Sequence, residues 1–189
     1  MKAQDEGTLA PLVETEPCFT DEECARIIAD GMGLPMKPGQ VTAAERAPEA
    51  RRSTIALFPP ERRFAWMLDR IAEIVLHFNR QLWRFELAGS ERLQFSAYGV
   101  GQYYDWHMDL GSRGAFALRR VSVSVLLNDP AEYDGGDLEI SIGTTNRMAS
   151  RKKGTVIMFP SYALHRVTPI TRGTRYSLVA WIVGNQPFR

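Results

Sequence analysis

Apolar positions along the chain change period near residue 92. Before it, Phe64, Met67, Leu68, Ile71, Ile74, Val75, Phe78 and Leu82 recur at spacings of three and four, with Arg, Asp and Glu between them. That stripe predicts an amphipathic helix over about 60–82, lying against a sheet. A shorter helix is predicted over about 21–30, where Thr20 is placed to N-cap, Glu23 completes a capping box, and Gly31 is a natural stop. Residues 31–49 hold glycines and prolines with no apolar period, which predicts an irregular loop. After residue 92 the period falls to two. Residues 92–100 alternate; residues 119–128 alternate Val and Ser before turning apolar; 137–142, 155–159 and 174–183 are further strand-like runs set off by turns. Short strands following a helical block predict a mainly β member of the α+β class, a sandwich or barrel with helices packed outside.

With 189 residues, the chain has room for one domain with a real core. Apolar residues at 44% and charged residues at 24% are those of a soluble globular protein. A net charge of +1 argues against a nucleic-acid partner, which calls for a basic excess or stripe. Of the short basic pairs, Arg51 and Arg52 are kept as a possible contact for an acidic substrate. Cys18 and Cys24 have no paired spacing and read as free thiols in a reducing compartment. No apolar leader and no run of about 18 apolar residues is found, so no membrane association is expected and the cytoplasm is the expected location. Oligomeric state is not readable.

The chemistry lies in an H-x-D triplet. On an extended strand His107 and Asp109 point the same way, while Met108 faces the other. Such a triplet is common by chance. Its setting gives it weight: Gly99, Gly101, Gly111 and several aromatics surround it, and the chain has only three histidines. His165 offers a second imidazole, although a hydrogen-bonding histidine at a strand start is the plain structural alternative. His77 lies in the long helix and is left out as a surface or boundary residue. Two imidazoles and one carboxylate on one face of a metal leave positions open, which suits non-haem Fe(II) and O2. A zinc hydrolase can use the same His2Asp donors. Arg175 separates the two readings. Alternation places it on one strand face with Ser177, Val179 and Trp181, and a buried guanidinium needs an anion, for which a carboxylate is the natural bidentate partner.

Tyr98 to Gly111, Tyr133 to Leu138, Phe159 to Ser161 and His165 to Trp181 together resemble the prolyl-4-hydroxylase-like group of 2-oxoglutarate/Fe(II) oxygenases, and within it the small bacterial PKHD-type hydroxylases. The resemblance covers roughly residues 50–189. It implies a double-stranded β-helix (jelly roll) over about 91–185, supported by N-terminal helices from about 1–90, in a single domain. It implies His107, Asp109 and His165 as iron ligands and Arg175 as partner of the distal carboxylate of 2-oxoglutarate. It also implies that Tyr98 bonds that co-substrate, that Ser122 sits beside the basic anchor, and that Trp181 lines the pocket. The implied cofactors are Fe(II), 2-oxoglutarate and O2, with ascorbate as an optional addition. The implied activity is hydroxylation of a C–H bond coupled to decarboxylation of 2-oxoglutarate to succinate and CO2. An intact Asp109 favours hydroxylation over halogenation. A sensing module of the same fold, without a dedicated substrate, is the other reading of a complete site. The substrate is expected to be an amino acid, a peptidyl residue or a small metabolite, selected by the loops at 31–54 and 110–118, by Trp106, and by Arg113 and Phe116 as a charge and an apolar wall.

Overall fold

Residues 10–39 and 50–188 are described here by a computed structural model; the part of the expected loop at 40–49 lies outside them. Thr20 and Glu23 cap the first helix in both directions. The Thr20 hydroxyl accepts the Glu23 N–H at 3.3 Å, and the Glu23 carboxylate accepts the Thr20 N–H at 2.9 Å, so α1 runs Asp21–Met32. Gly31 is not its stop. A Cβ at Gly31 would stand 2.4 Å from Cγ of Phe95, so this glycine serves to bring the helix down onto the sheet. The helix α2, Arg62–Gln81, buries Phe64, Met67, Ile71 and Val75 along the predicted stripe. Each such side chain, removed from water, contributes roughly 1.5–3 kcal/mol. His77 faces solvent and bonds Gln81 at 3.1 Å.

The strands in chain order are β1 (Val13–Glu14), β2 (Lys37–Pro38), β3 (Arg51–Arg52), β4 (Thr54–Leu57), β5 (Gly89–Ser90), β6 (Gln94–Tyr98), β7 (Tyr103–His107) and β8 (Arg119–Leu126). They continue as β9 (Tyr133–Gly135), β10 (Leu138–Ile142), β11 (Thr145–Met148), β12 (Val156–Pro160), β13 (His165–Val167), β14 (Ile170–Gly173) and β15 (Arg175–Val183). Strand pieces at β2, β3 and β4 thus occupy parts of the 31–54 stretch expected to be a loop. A large sheet runs β1-β12-β8-β15-β6-β4-β2, with β5 also on β15; a smaller one runs β11-β10-β13-β7-β3; β14 and β9 form a pair. No helix among the described residues is long and apolar enough to cross a membrane. Cys18 and Cys24 are unpaired thiols.

The period-two pattern decides what each face of the large sheet meets. Val121, Val123 and Val125 of β8, Leu178, Ala180 and Ile182 of β15, and Phe95 of β6 join one apolar cluster with Cys24 and Ile27 of α1 and the buried stripe of α2. The alternate positions, Ser122, Ser124, Ser177, Ser96 and Gln94, face a cavity instead of solvent. A half-polar strand normally signals one wet face. Here the Val/Ser alternation marks an interior polar surface. Tyr98, Leu126, Leu138, Ile140, Ile157 and Phe159 close a second apolar cluster around it.

Candidate metal and anion site

β7 ends at His107, so the triplet does not lie on one straight strand: Met108 is half exposed and Asp109 sits in the bend that follows. The pairing of β13 with β7 slips between His165 opposite His107 and Val167 opposite Tyr104. Such a bulge re-aims side chains, and both Tyr104 and His107 line the cavity, their rings stacked at 3.4 Å between centroids. His165 enters from the neighbouring strand. The ligand atoms of His107, Asp109 and His165 all lie within 4.8 Å of one another, the one such group among the described residues. Nε2 of His165 is 3.5 Å and Nε2 of His107 is 3.8 Å from the Asp109 carboxylate.

Nδ1 of His107 donates to the Asp105 carbonyl at 2.7 Å, and Nδ1 of His165 to the Ala163 carbonyl at 2.9 Å. A carbonyl only accepts, so each proton is fixed on Nδ1 and each Nε2 presents a lone pair inward. Burial pushes the His107 imidazole down to about 3, with the neighbouring His165 adding to the effect. It is therefore neutral, as a ligand must be. Burial alone raises Asp109, but His165, His107, the Ser122 hydroxyl and Arg119 together hold its carboxyl below the usual range. This donor set fits a divalent cation of the Fe(II) type.

Arg175 is 2% exposed, and among the described residues no carboxylate pairs with it. Its Nη1 donates to Ser177 Oγ at 3.1 Å. Tyr98 stands directly opposite it on β6, with the guanidinium 5.8 Å from its ring centre. Gly136, at φ +66°, clears the way: a Cβ there would meet Arg175 Cδ at 3.0 Å and Ile170 Cδ1 at 2.3 Å. Arg175, Ser177, Val179 and Trp181 line one cavity with the three donors, on the strand face that alternation assigned.

Three expectations change. Ser122 is not beside the anchor; it pairs across the sheet with Trp181, six residues along β15 from Arg175. Its hydroxyl instead donates to Asp109 Oδ2 at 2.6 Å, backed by Ser161 Oγ at 3.0 Å. Trp106 lies under the Arg166 guanidinium at 4.8 Å and lines neither of the two cavities at the site. Arg113 is exposed and lines neither as well. Phe116 does line the second cavity, on the 3-10 turn Gly114–Leu118. Two residues were missed. Tyr104 is the ring against His107. Arg119 grips both Glu91 oxygens at 2.6 and 2.7 Å and donates to the Asp109 carbonyl at 3.2 Å. No parity signal pointed to Arg119, which shares the odd positions of Val121 and Val123; the pairing of β8 with β15 slips between Val121 and Arg119 and breaks the alternation there. Removing the Ser122 hydroxyl frees one Asp109 oxygen, and losing an outer partner of this kind costs roughly 10–100-fold in metal affinity. Ser122→Ala is expected to show that loss in equilibrium dialysis and Ser122→Thr to retain affinity; equal binding by all three removes the hydroxyl from the site.

Residues 93–183 match the family model of the 2OG-Fe(II) oxygenase superfamily. The resemblance read from the motifs therefore holds. A "PKHD-type hydroxylase" of a Synechococcus species is 32% identical over 120 residues, covering 60% of this chain and 54% of the relative. The chain thus spans about half the length of that relative. "PKHD-type hydroxylase PiuC" of Pseudomonas aeruginosa is 28% identical over 182 residues, covering 90% of this chain and 77% of the relative. A Pseudomonas putida prolyl-4-hydroxylase structure aligns with a TM-score of 0.71 at 22% identity, covering 93% of each chain. A viral collagen prolyl hydroxylase from Paramecium bursaria Chlorella virus-1 aligns at 0.70 and 23%, covering 93% of this chain and 97% of its own. At these identities the two structures speak for the fold: mostly β, with few helices, of the 2OG oxygenase jelly-roll kind.

Proposed function

We propose that the chain is a 2-oxoglutarate- and Fe(II)-dependent dioxygenase that hydroxylates an unactivated C–H bond of an amino acid, peptidyl residue or small metabolite. One domain performs it, with the two sheets read as a double-stranded β-helix and the N-terminal helices as its support. The observation that carries the reading is the conjunction of a His2Asp donor group with a buried guanidinium that has no acid beside it among the described residues. A hydrolytic metal site leaves that guanidinium without a purpose.

His107, Asp109 and His165 would hold Fe(II), which when bound supplies the redox chemistry that activates O2. Arg175, steadied by Ser177 and opposite Tyr98, receives the distal carboxylate of 2-oxoglutarate. Ser122 and Arg119 keep Asp109 in place. In the balanced reaction one oxygen atom of O2 enters succinate, the other enters the substrate as hydroxyl, and CO2 leaves. The experiment is anaerobic loading with Fe(II) and 2-oxoglutarate, followed by O2 and a substrate panel, with succinate as readout. We expect succinate only with metal, 2-oxoglutarate and O2 together, and more of it in the presence of a substrate. Protein that retains zinc in preference to Fe(II) and releases no succinate overturns the reading.

A further inference from the structure

The Trp181 indole carries a polar atom that nothing among the described residues satisfies. Trp181 is 9% exposed, and its buried Nε1–H has no hydrogen-bond partner. A buried donor left unmet is costly, so it points to an acceptor that arrives from outside. Trp181 lines both the metal cavity and a second cavity of about 250 Å³ that opens beside Asp109. The Arg119 guanidinium lies 4.0 Å over its ring and ties the indole to the Asp109 segment.

The second cavity is unbalanced in charge. Its two acids are committed: both Glu91 oxygens are held by Arg119, and Asp109 belongs to the metal group. Lys37 adds a further cation, and Arg51, which bonds Ser53 and lies over the Tyr104 ring, also lines the cavity. They come from β2 at the edge of the large sheet and β3 at the edge of the small one. Lys37 has no ion pair among the described residues. Ile55, Leu57 and Met108 supply apolar wall between them.

We propose that the substrate of the dioxygenase reading above presents a carboxylate, which Lys37 and the Trp181 indole N–H receive at this mouth while its apolar part lies toward the metal. A charged acceptor answers both the orphaned donor and the uncompensated cation in a charge-assisted contact. A cavity of this size, under the roughly 300–1,000 Å³ of drug-sized sites, suits a free organic or amino acid. An acidic side chain of a peptide is the other source of the same chemistry.

The test uses the full chain loaded anaerobically with Fe(II) and 2-oxoglutarate, whose visible absorption band reports independently whether the dioxygenase reading stands. Hexanoate and L-leucine are then titrated against hexanamide and L-leucinamide, and acetyl-Gly-Glu-Gly-amide against its Gln counterpart, by tryptophan fluorescence. The expected result is at least one acid binding about tenfold or more tighter than its amide, a difference of one charge-assisted contact. Preference among free acids assigns a small-molecule source, and preference only in the Glu peptide a peptide source. Lys37→Gln is expected to erase the preference with unchanged 2-oxoglutarate affinity, and Trp181→Phe, which keeps a ring but removes the N–H, to reduce it. A normal band with acids and amides binding alike, or not at all, overturns the proposal while leaving the dioxygenase reading intact. So does a Trp181→Phe variant altered only toward 2-oxoglutarate.

Discussion

Replacing His107 by alanine is expected to abolish tight binding of a divalent metal, and with it every trace of 2-oxoglutarate-dependent succinate. The three donor atoms lie within 4.8 Å of one another, and no other His, Cys, Asp or Glu group among the described residues offers a substitute. Losing an outer partner of a ligand costs roughly 10–100-fold in affinity, so losing a ligand itself should exceed about a hundredfold. The Nδ1 bond to the Asp105 carbonyl sharpens the effect, because it holds the imidazole in the one tautomer whose Nε2 lone pair points inward. His107→Gln is a useful companion, since a carboxamide keeps polarity and most of the volume against Tyr104. Anaerobic dialysis with metal analysis reads the affinity, and thermal melting of the metal-free proteins reports whether the fold persists. A folded alanine variant that holds Fe(II) as tightly as the parent removes His107 from the metal site.

The parts of this site that were legible in the sequence are those set by local periodicity. Strand parity placed Arg175, Ser177, Val179 and Trp181 on one face without any coordinate, and the stripe of α2 named its buried apolar residues, though not the buried Asn79. What escaped depends on register between distant strands. Ser122 stands opposite Trp181 and beneath Asp109 only because β8 and β15 pair as they do. Nothing local in residues 119–128 encodes that offset. Arg119 and Glu91 are 28 positions apart, and neither reads as buried until they pair. Tyr104 and Trp106 were lost to the irregular pairing of β7 with β13, which breaks the alternation that simple parity assumes. Gly31 was misread for a different reason. A glycine at a helix end and a glycine at a helix–sheet contact look alike in sequence, and only the Phe95 ring beneath it distinguishes them.

Arg175→Ala should leave metal binding near the parent level and raise the 2-oxoglutarate concentration needed for half-maximal turnover. A hydrogen bond to a charged group contributes about 1.5–3 kcal/mol, and every 1.4 kcal/mol is tenfold, so the expected increase is roughly 10–100-fold. Its direction follows from charge. With Ser177 and the Tyr98 ring as its contacts, the buried guanidinium has no anionic partner among the described residues; on the proposed reading a diacid supplies it, and the alanine variant would leave that diacid's far carboxylate facing a void. Arg175→Lys keeps the charge but replaces a planar fork with a point donor on a differently shaped stem, so it should fall between the two. The alternative role for Arg175, as a strut inside the sheet, predicts a different pattern. Lost stability would then appear in thermal melts of the metal-free protein, with the 2-oxoglutarate requirement unmoved. Titrating 2-oxoglutarate at fixed saturating Fe(II), alongside those melts, separates the two, because an anion anchor shifts the midpoint of the titration and a strut shifts only the melt.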